Sequence, residues 1–382
     1  MKIGVVGFGN RVAQIFFELK KLNQEANMVA YVDPFPIGKP FAEKYNFFPS
    51  KEYSSLSQML RKEKLDLLMI GSPNHLHLEH IRVALQYKVK IFVEKPIVIN
   101  EEQTWELVKL INEFGEERII VGLVLRYSQH VATVKKLIEN KILGKIISIE
   151  ASEHLKPWHG GFFMRNWRRK TAYSGGFMLE KCCHDLDLYN SFVGFRPSFV
   201  SSFGSRTSFT QENLPTGSLK EFTKYNLKGW ESINEVFDSD ADIVDHQVAI
   251  VEYENGATLS FHTNLRVPDE FRRFVIIGTK GMVEGDFVRG YLKAHDSEGN
   301  IIYNENYDIS PKNNIKGHYG ADNLMLNQIN KYLIEQKPKD LPVGVKECIE
   351  AGLLAMKIEE ARTQNKVVDM TQTWDKLDSL YG

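Results

Sequence analysis

Lys2-Ile3-Gly4-Val5-Val6-Gly7-Phe8-Gly9-Asn10-Arg11-Val12 opens the chain with apolar, β-forming residues that break into two glycines and then a helical pattern. A strand that runs straight into Gly-x-Gly and a helix is the turn by which a parallel α/β sheet holds a dinucleotide. The first glycine permits the tight turn. The second lets a pyrophosphate approach the backbone at the helix N-terminus. Val12 stands where the G-x-G-x-x-G pattern has its third glycine, so looser helix–strand contact is expected. Gly-x-Gly is common in loops, and its context gives it weight here. Asp33 ends the next strand candidate, where a carboxylate accepts hydrogen bonds from the adenosine ribose hydroxyls and repels a 2′-phosphate. NAD rather than NADP is therefore the expected cofactor, held by Gly7, Phe8, Gly9, Asn10, Arg11 and Asp33.

The rhythm that follows fits this turn. Apolar runs at Lys2–Val6, Met28–Val32, Leu65–Ile70, Lys90–Glu94 and Ile119–Leu123 alternate with helical patterns at Arg11–Lys20, Phe41–Tyr45, Ser55–Lys62, His75–Tyr87 and Glu101–Phe114. Continuous apolar strands separated by helices predict a doubly wound parallel sheet covered on both faces, a Rossmann domain over residues 1–123. Beyond Gly122 the strands lengthen and partly alternate, as at Ile146–Ala151, Val248–Tyr253, Ala257–Thr263 and Arg273–Gly278, with turns such as Glu254-Asn255-Gly256. Residues 124–382 are expected to form an α+β domain on a large, mainly antiparallel open sheet. Residues 205–240 read as an irregular surface excursion, and Ala321–Glu335 and Val345–Thr363 as amphipathic helices.

Composition agrees with an α/β protein of two domains. The chain has 382 residues, too long for one ordinary core. Lys plus Arg (48) nearly balances Asp plus Glu (49), and no basic stripe suggests a nucleic-acid partner. Three cysteines, with Cys182 and Cys183 adjacent, make no disulfide framework and suit a reducing compartment. Met1–Val6 reads as a strand rather than a signal peptide, and no apolar run reaches the roughly 18 residues of a membrane span. A cytoplasmic location without membrane contact is expected.

Two turns carry the next chemistry. Gly71-Ser72-Pro73-Asn74-His75-Leu76-His77 follows a core strand, and Pro73 suits the first turn of a helix. His75 and His77 point to different sides of a helix, which makes them a poor metal pair; no metal is expected. Asn74 and His77 are read as bordering the nicotinamide half of the cofactor, and Ser72 and Pro73 are counted with them as cofactor-binding. Glu94-Lys95-Pro96 closes the strand Lys90–Glu94, at the carboxyl end where parallel sheets bind ligands.

With these residues in hand, the chain resembles the glucose–fructose oxidoreductase, inositol dehydrogenase and rhizopine-catabolism family (Gfo/Idh/MocA). Gly7-Phe8-Gly9, Ser72-Pro73-Asn74 with His77, and Glu94-Lys95-Pro96 occur in the family's order and spacing; the Gly122–Arg126 segment and Gly144-Lys145 are similar too. The resemblance implies NAD(P)-dependent hydride transfer on sugars, cyclitols or their derivatives, in a cleft between the two domains. It makes Lys95 the family's E-K-P lysine, with Glu94 beside the cofactor and Arg126 near the substrate.

Gly175-Gly176-Phe177-Met178-Leu179-Glu180-Lys181-Cys182-Cys183-His184-Asp185-Leu186-Asp187 supplies the second domain's chemistry. On a helix, Glu180, His184 and Asp187 share one face. A histidine aligned by a carboxylate is a suitable proton acceptor near neutral pH. At this place the family usually has an aspartate, three residues and then a histidine; here Glu180 replaces the aspartate before His184, and Asp187 matches a further family acid. Cys182 and Cys183, on neighbouring helix positions, are read as packing. Trp167 and Arg168 suit a polyhydroxylated substrate, the ring covering C–H faces and the cation binding oxygens. His318, in Gly317-His318-Tyr319-Gly320-Ala321-Asp322, is read as capping the site.

The expected function is reversible oxidation of a secondary alcohol on a sugar-like ring, with Lys95 and His184 as the acid/base pair oriented by Glu180 and Asp187. The alternative is a redox-neutral enzyme that retains NAD and performs glycoside cleavage, elimination or anhydro-sugar conversion. A non-catalytic NAD-sensing protein is the second alternative. A homodimer or homotetramer through the open sheet face is expected.

Overall fold

The computed structural model describes residues 1–49, 51–225, 229–307, 317–335 and 341–381. The early apolar runs become β1 (Lys2–Val6), β2 (Asn27–Val32), β3 (Lys51–Glu52), β4 (Leu67–Ile70), β5 (Lys90–Val93) and β6 (Ile119–Val121). They form one parallel sheet in the order β3-β2-β1-β4-β5-β6. All four residues of β4 are buried, as a central parallel strand covered on both faces requires. The covering helices are α1 (Asn10–Leu22), α2 (Lys39–Lys44), α3 (Leu56–Lys62), α4 (His77–Leu85) and α5 (Glu101–Phe114). Strand order reverses between β1 and β4, which opens a crevice at their carboxyl ends.

The second sheet has nine strands in the order β14-β13-β12-β11-β7-β10-β9-β8-β15. These are β7 (Ile146–His154), β8 (Pro197–Ser205), β9 (His246–Tyr253), β10 (Thr258–Asn264), β11 (Arg273–Gly278), β12 (Gly281–Asp286), β13 (Tyr291–Asp296), β14 (Ile301–Asn306) and β15 (Val368–Asp369). Its pairings are antiparallel except that β7 runs parallel to β10, so the sheet is mixed. Helices α6 (Gln129–Glu139), α7 (Pro157–Arg165), α8 (Thr171–Ser174), α9 (Phe177–Val193), α10 (Ala321–Glu335), α11 (Val345–Gln364) and α12 (Thr371–Tyr381) complete the chain. The expected surface excursion is more than a surface loop. Phe209, Phe222 and Phe237 within it are buried and pack ring against ring, giving it a core of its own.

Fourteen of the residues of α9, polar ones included, are buried, as in a helix packed on all sides. Gly175 and Gly176 precede it with φ of 82° and 91°. A Cβ on Gly175 would stand 2.8 Å from the Ile99 carbonyl oxygen, so the entry to α9 needs glycine there. Gly194, left-handed at φ 71°, ends the helix.

Candidate active site

At the crevice, Gly7 adopts φ 79°, and a Cβ there would lie 2.1 Å from the backbone nitrogen of Ser72. The two turns can meet this closely only with glycine at position 7. Gly9 caps α1 in an extended conformation, and no side chain caps that helix. Its first N–H groups are thus available to an anion, which fits the pyrophosphate of a dinucleotide. The Asp33 carboxylate accepts a 2.7 Å bond from the Phe35 N–H, and burial raises its pKa above the usual value. These features fit NAD. The looser contact expected from Val12 is not found: Val12 is buried, and a Cβ on Gly71 would fall 2.0 Å from its Cγ2. The missing glycine has been exchanged across the interface, with Gly71 making room for Val12.

Arg11 does not stand open to a ligand. Its guanidinium makes a bidentate pair with Asp322 at 2.7 and 2.9 Å and reaches Glu94 at 3.2 Å. Both ring nitrogens of His77 face carbonyl oxygens, Nδ1 that of Pro96 at 2.8 Å and Nε2 that of Ser72 at 2.9 Å. Burial pushes this imidazole down to about 4. The neutral ring has one N–H, so His77 sits between the Ser72 and Lys95-Pro96 turns and donates to one of their two carbonyls rather than lining a cofactor surface. Ser72 Oγ pairs with His80 at 2.9 Å. Asn74 donates to the Glu180 carboxylate at 2.7 Å and to the Ser174 carbonyl, which ties this turn to the second domain.

Lys95 meets α9 directly. Its ammonium donates to the backbone carbonyl of Glu180 and lies 3.6 Å from the same residue's Oε1. That carbonyl is one helical turn before His184, so the ammonium and the imidazole come from two domains to one stretch of helix. Glu180 also accepts from the Arg168 guanidinium. Burial works to raise its pKa, yet Lys95 and Arg168 hold it below the ordinary value, and it stays ionised. Its oxygens are committed to Asn74, Arg168 and Lys95. Glu180 positions Lys95, and the expectation that it orients His184 is corrected.

Asp187 is corrected likewise. It forms a buried bidentate pair with Arg126, Nε to Oδ2 at 2.5 Å and the second amine to Oδ1 at 2.7 Å. Both side chains are consumed by this pair, which joins α9 to the turn Val124–Tyr127. Neither the catalytic role expected of Asp187 nor the substrate contact expected of Arg126 is available in this arrangement.

His184 differs from its neighbours on α9. It is 2% exposed, and its Nδ1 has no hydrogen-bond partner. Burial lowers its pKa well below the ordinary histidine value, and Lys95, His318, Arg272 and Lys181 push the same way. The ring is neutral at pH 7 and keeps an uncommitted nitrogen, the state a proton acceptor needs. His318 faces it with ring centroids 5.6 Å apart. Arg168 lies over the Trp167 ring at 4.2 Å, so the two expected substrate residues are stacked on each other, with Trp167 largely buried beneath.

A second buried network escaped the sequence reading. Arg272 binds Asp185 at 2.6 and 2.8 Å and Glu153 at 3.1 Å, and Lys181 binds Glu153 at 2.8 Å. Burial raises the Asp185 carboxyl, whereas Arg272 and Lys181 overcome burial at Glu153 and lower it. Glu153, Cys182 and Asp185 come within 4.8 Å of one another, but the two cations already neutralise the carboxylates. Spacing gave no signal for this, since Arg272 is 87 residues from Asp185. All three cysteines are free and buried. Among the described residues no helix is long and apolar enough to cross a membrane.

Residues 1–123 match the family profile described as oxidoreductase family, NAD-binding Rossmann fold, and residues 131–284 match the GFO/IDH/MocA C-terminal domain. The Bacillus subtilis protein YteT, named as an oxidoreductase, is 24% identical over 375 residues, covering 85% of this chain and 87% of YteT. A 2,7-anhydro-N-acetylneuraminate hydratase of Mediterraneibacter gnavus is 23% identical over 308 residues, 80% of this chain and 72% of the hydratase. The solved structure of scyllo-inositol dehydrogenase from Lactobacillus casei with bound NAD(H) and scyllo-inositol is similar with a TM-score of 0.73, at 20% identity, over 97% of this chain and 99% of that one. That likeness is one of fold.

Proposed function

The chain belongs to the GFO/IDH/MocA oxidoreductases, and from that premise we propose that it transfers a hydride between a secondary alcohol of a sugar-like ring and NAD, with Lys95 and His184 as the acid/base pair. The observation that carries the proposal is the docking of the Lys95 ammonium on α9 one turn from the neutral, uncommitted His184 imidazole. NAD, when bound, supplies the hydride acceptor. Neutral His184 takes the hydroxyl proton, while Lys95, held by Glu180, hydrogen-bonds the reacting oxygen and stabilises charge building there. His77 and Asn74 lock the turns that carry these groups, so the geometry is fixed before substrate arrives.

The second reading, a redox-neutral reaction on retained NAD, is favoured by the hydratase relative and by the second imidazole, His318, across from His184. One experiment separates the two. Inositols, sugars, sugar acids and anhydro-sugars are offered with NAD, and absorbance at 340 nm is followed beside product analysis. Absorbance rising with product supports net oxidation, and product without absorbance change supports the neutral cycle. No product from any compound in the panel counts against both. The homo-oligomer we propose buries the outer face of the nine-stranded sheet, where Phe199, Phe203 and Ile250 are exposed.

A further inference from the structure

His318 is held more elaborately than a residue that merely closes a pocket. Gly317, His318, Tyr319 and Gly320 all have positive φ, at 78°, 41°, 57° and 88°. Two of these are not glycine, and such backbone persists only where its surroundings over-determine it. A Cβ on Gly317 would sit 1.8 Å from Asp322 Oδ2, so glycine there lets the carboxylate tuck under the turn. Asp322 then lies 3.3 Å from His318 Nδ1 and, on its other side, makes the bidentate pair with Arg11. Arg11 belongs to the first turn of α1, directly after Gly7-Phe8-Gly9.

We propose that Arg11, Asp322 and His318 form a chain that couples occupancy of the dinucleotide site to the alignment of a second imidazole in the catalytic cleft. The inference rests on the hydride-transfer reading, because it assumes that a pyrophosphate sits at the N-terminus of α1. Phosphate charge beside Arg11 competes with Asp322 for the guanidinium. As that grip loosens, the carboxylate turns more fully to His318 and orients it toward the space it shares with His184. The charged and titratable groups around His318 are Asp322, Arg11 from α1, Lys181 and His184 from α9, and His159 from α7. Arg11, Lys181 and burial lower its basicity, Asp322 raises it, and burial prevails to set it at about 4. Arg11 and Asp322 are positioning residues in this scheme.

The test uses the full chain with 15N-labelled histidine, His318 being assigned by its absence in His318→Gln, and NAD as the only ligand. Calorimetry reports NAD binding separately. Saturating NAD is expected to raise the His318 titration midpoint by about one pH unit and to move its Nδ1 resonance at pH 7. Arg11→Met is expected to raise the midpoint by a similar amount without NAD, and Asp322→Asn to lower it and abolish the response to NAD. Wild-type protein that binds NAD while His318 signals stay still overturns the coupling. An unchanged midpoint in nucleotide-free Arg11→Met overturns it as well, and that arm decides the matter even if NAD binding is lost. Failure of the wild type to bind NAD would instead refute the functional reading.

Discussion

The ammonium of Lys95, at the end of β5, is bonded to the main-chain carbonyl of Glu180, one helical turn before His184. A strand end of the nucleotide-binding sheet and a helix of the second domain are thereby joined at the groups proposed to do the chemistry. Glu180 serves this joint twice, through its carbonyl and through its carboxylate.

Glu180→Gln keeps the shape and removes the charge that Lys95 and Arg168 share. Leaving two partly buried cations without their carboxylate is expected to cost about 3 kcal/mol of stability. Turnover is expected to fall at least 10-fold, because Lys95 loses its position. Denaturant unfolding and steady-state kinetics check both. Wild-type values for either would show that Glu180 does not hold the lysine.

Asp187 and Arg126 give the opposite expectation. Asp187→Ala strands a buried guanidinium and is expected to destabilise by about 3 kcal/mol, while kcat of the protein that folds stays within a few-fold of wild type. Joint replacement, Arg126→Met with Asp187→Leu, is expected to recover much of the loss, since no charge is left unpaired. A catalytic Asp187 would instead give a folded, stable and inactive variant.

How far the sequence could be read follows from the range of its signals. Gly7-Phe8-Gly9, Ser72-Pro73-Asn74 and Glu94-Lys95-Pro96 are local motifs at strand ends, and periodicity placed them correctly around the crevice. Glu180 and Asp187 do lie on one helix, α9, but the partners of their carboxylates are invisible to helical spacing. Arg168 and Arg126 reach α9 from other elements, and helical spacing says nothing about which cation arrives. Arg11 and Asp322 are 311 residues apart. Val12 reads as a defect in the sequence because the compensating residue, Gly71, lies in the turn after another strand, β4. The strands β3 and β15, of two residues each, are too short to leave a pattern.

The depressed basicity of His184 sets a pH dependence. A proton acceptor works unprotonated, and burial assisted by Lys95 keeps this imidazole neutral well below its ordinary range. Activity is therefore expected to hold its plateau as pH falls through about 6.5, with the acid limb of kcat/KM well below that value. An acid limb at 6.5 or above would mean that another group titrates or that His184 is solvated.

Phe203 is 65% exposed on the outer face of the nine-stranded sheet, near Ile250 and Phe199. An apolar patch of this kind on an exposed sheet face is expected to be buried against a second copy. Phe203→Asp should convert the oligomer to smaller species in sedimentation velocity, with the fold intact by circular dichroism. A wild-type protein that sediments as a monomer would remove the basis for this interface.

Turnover of Lys95→Ala and His184→Ala, measured beside their affinity for NAD on whichever compound the substrate panel identifies, bears most directly on the account. Each variant is expected to lose at least about 100-fold in kcat while binding NAD nearly as tightly as wild type. Near-normal turnover in either would contradict the role proposed for that residue, and near-normal turnover in both would leave the convergence of the two domains without a catalytic meaning.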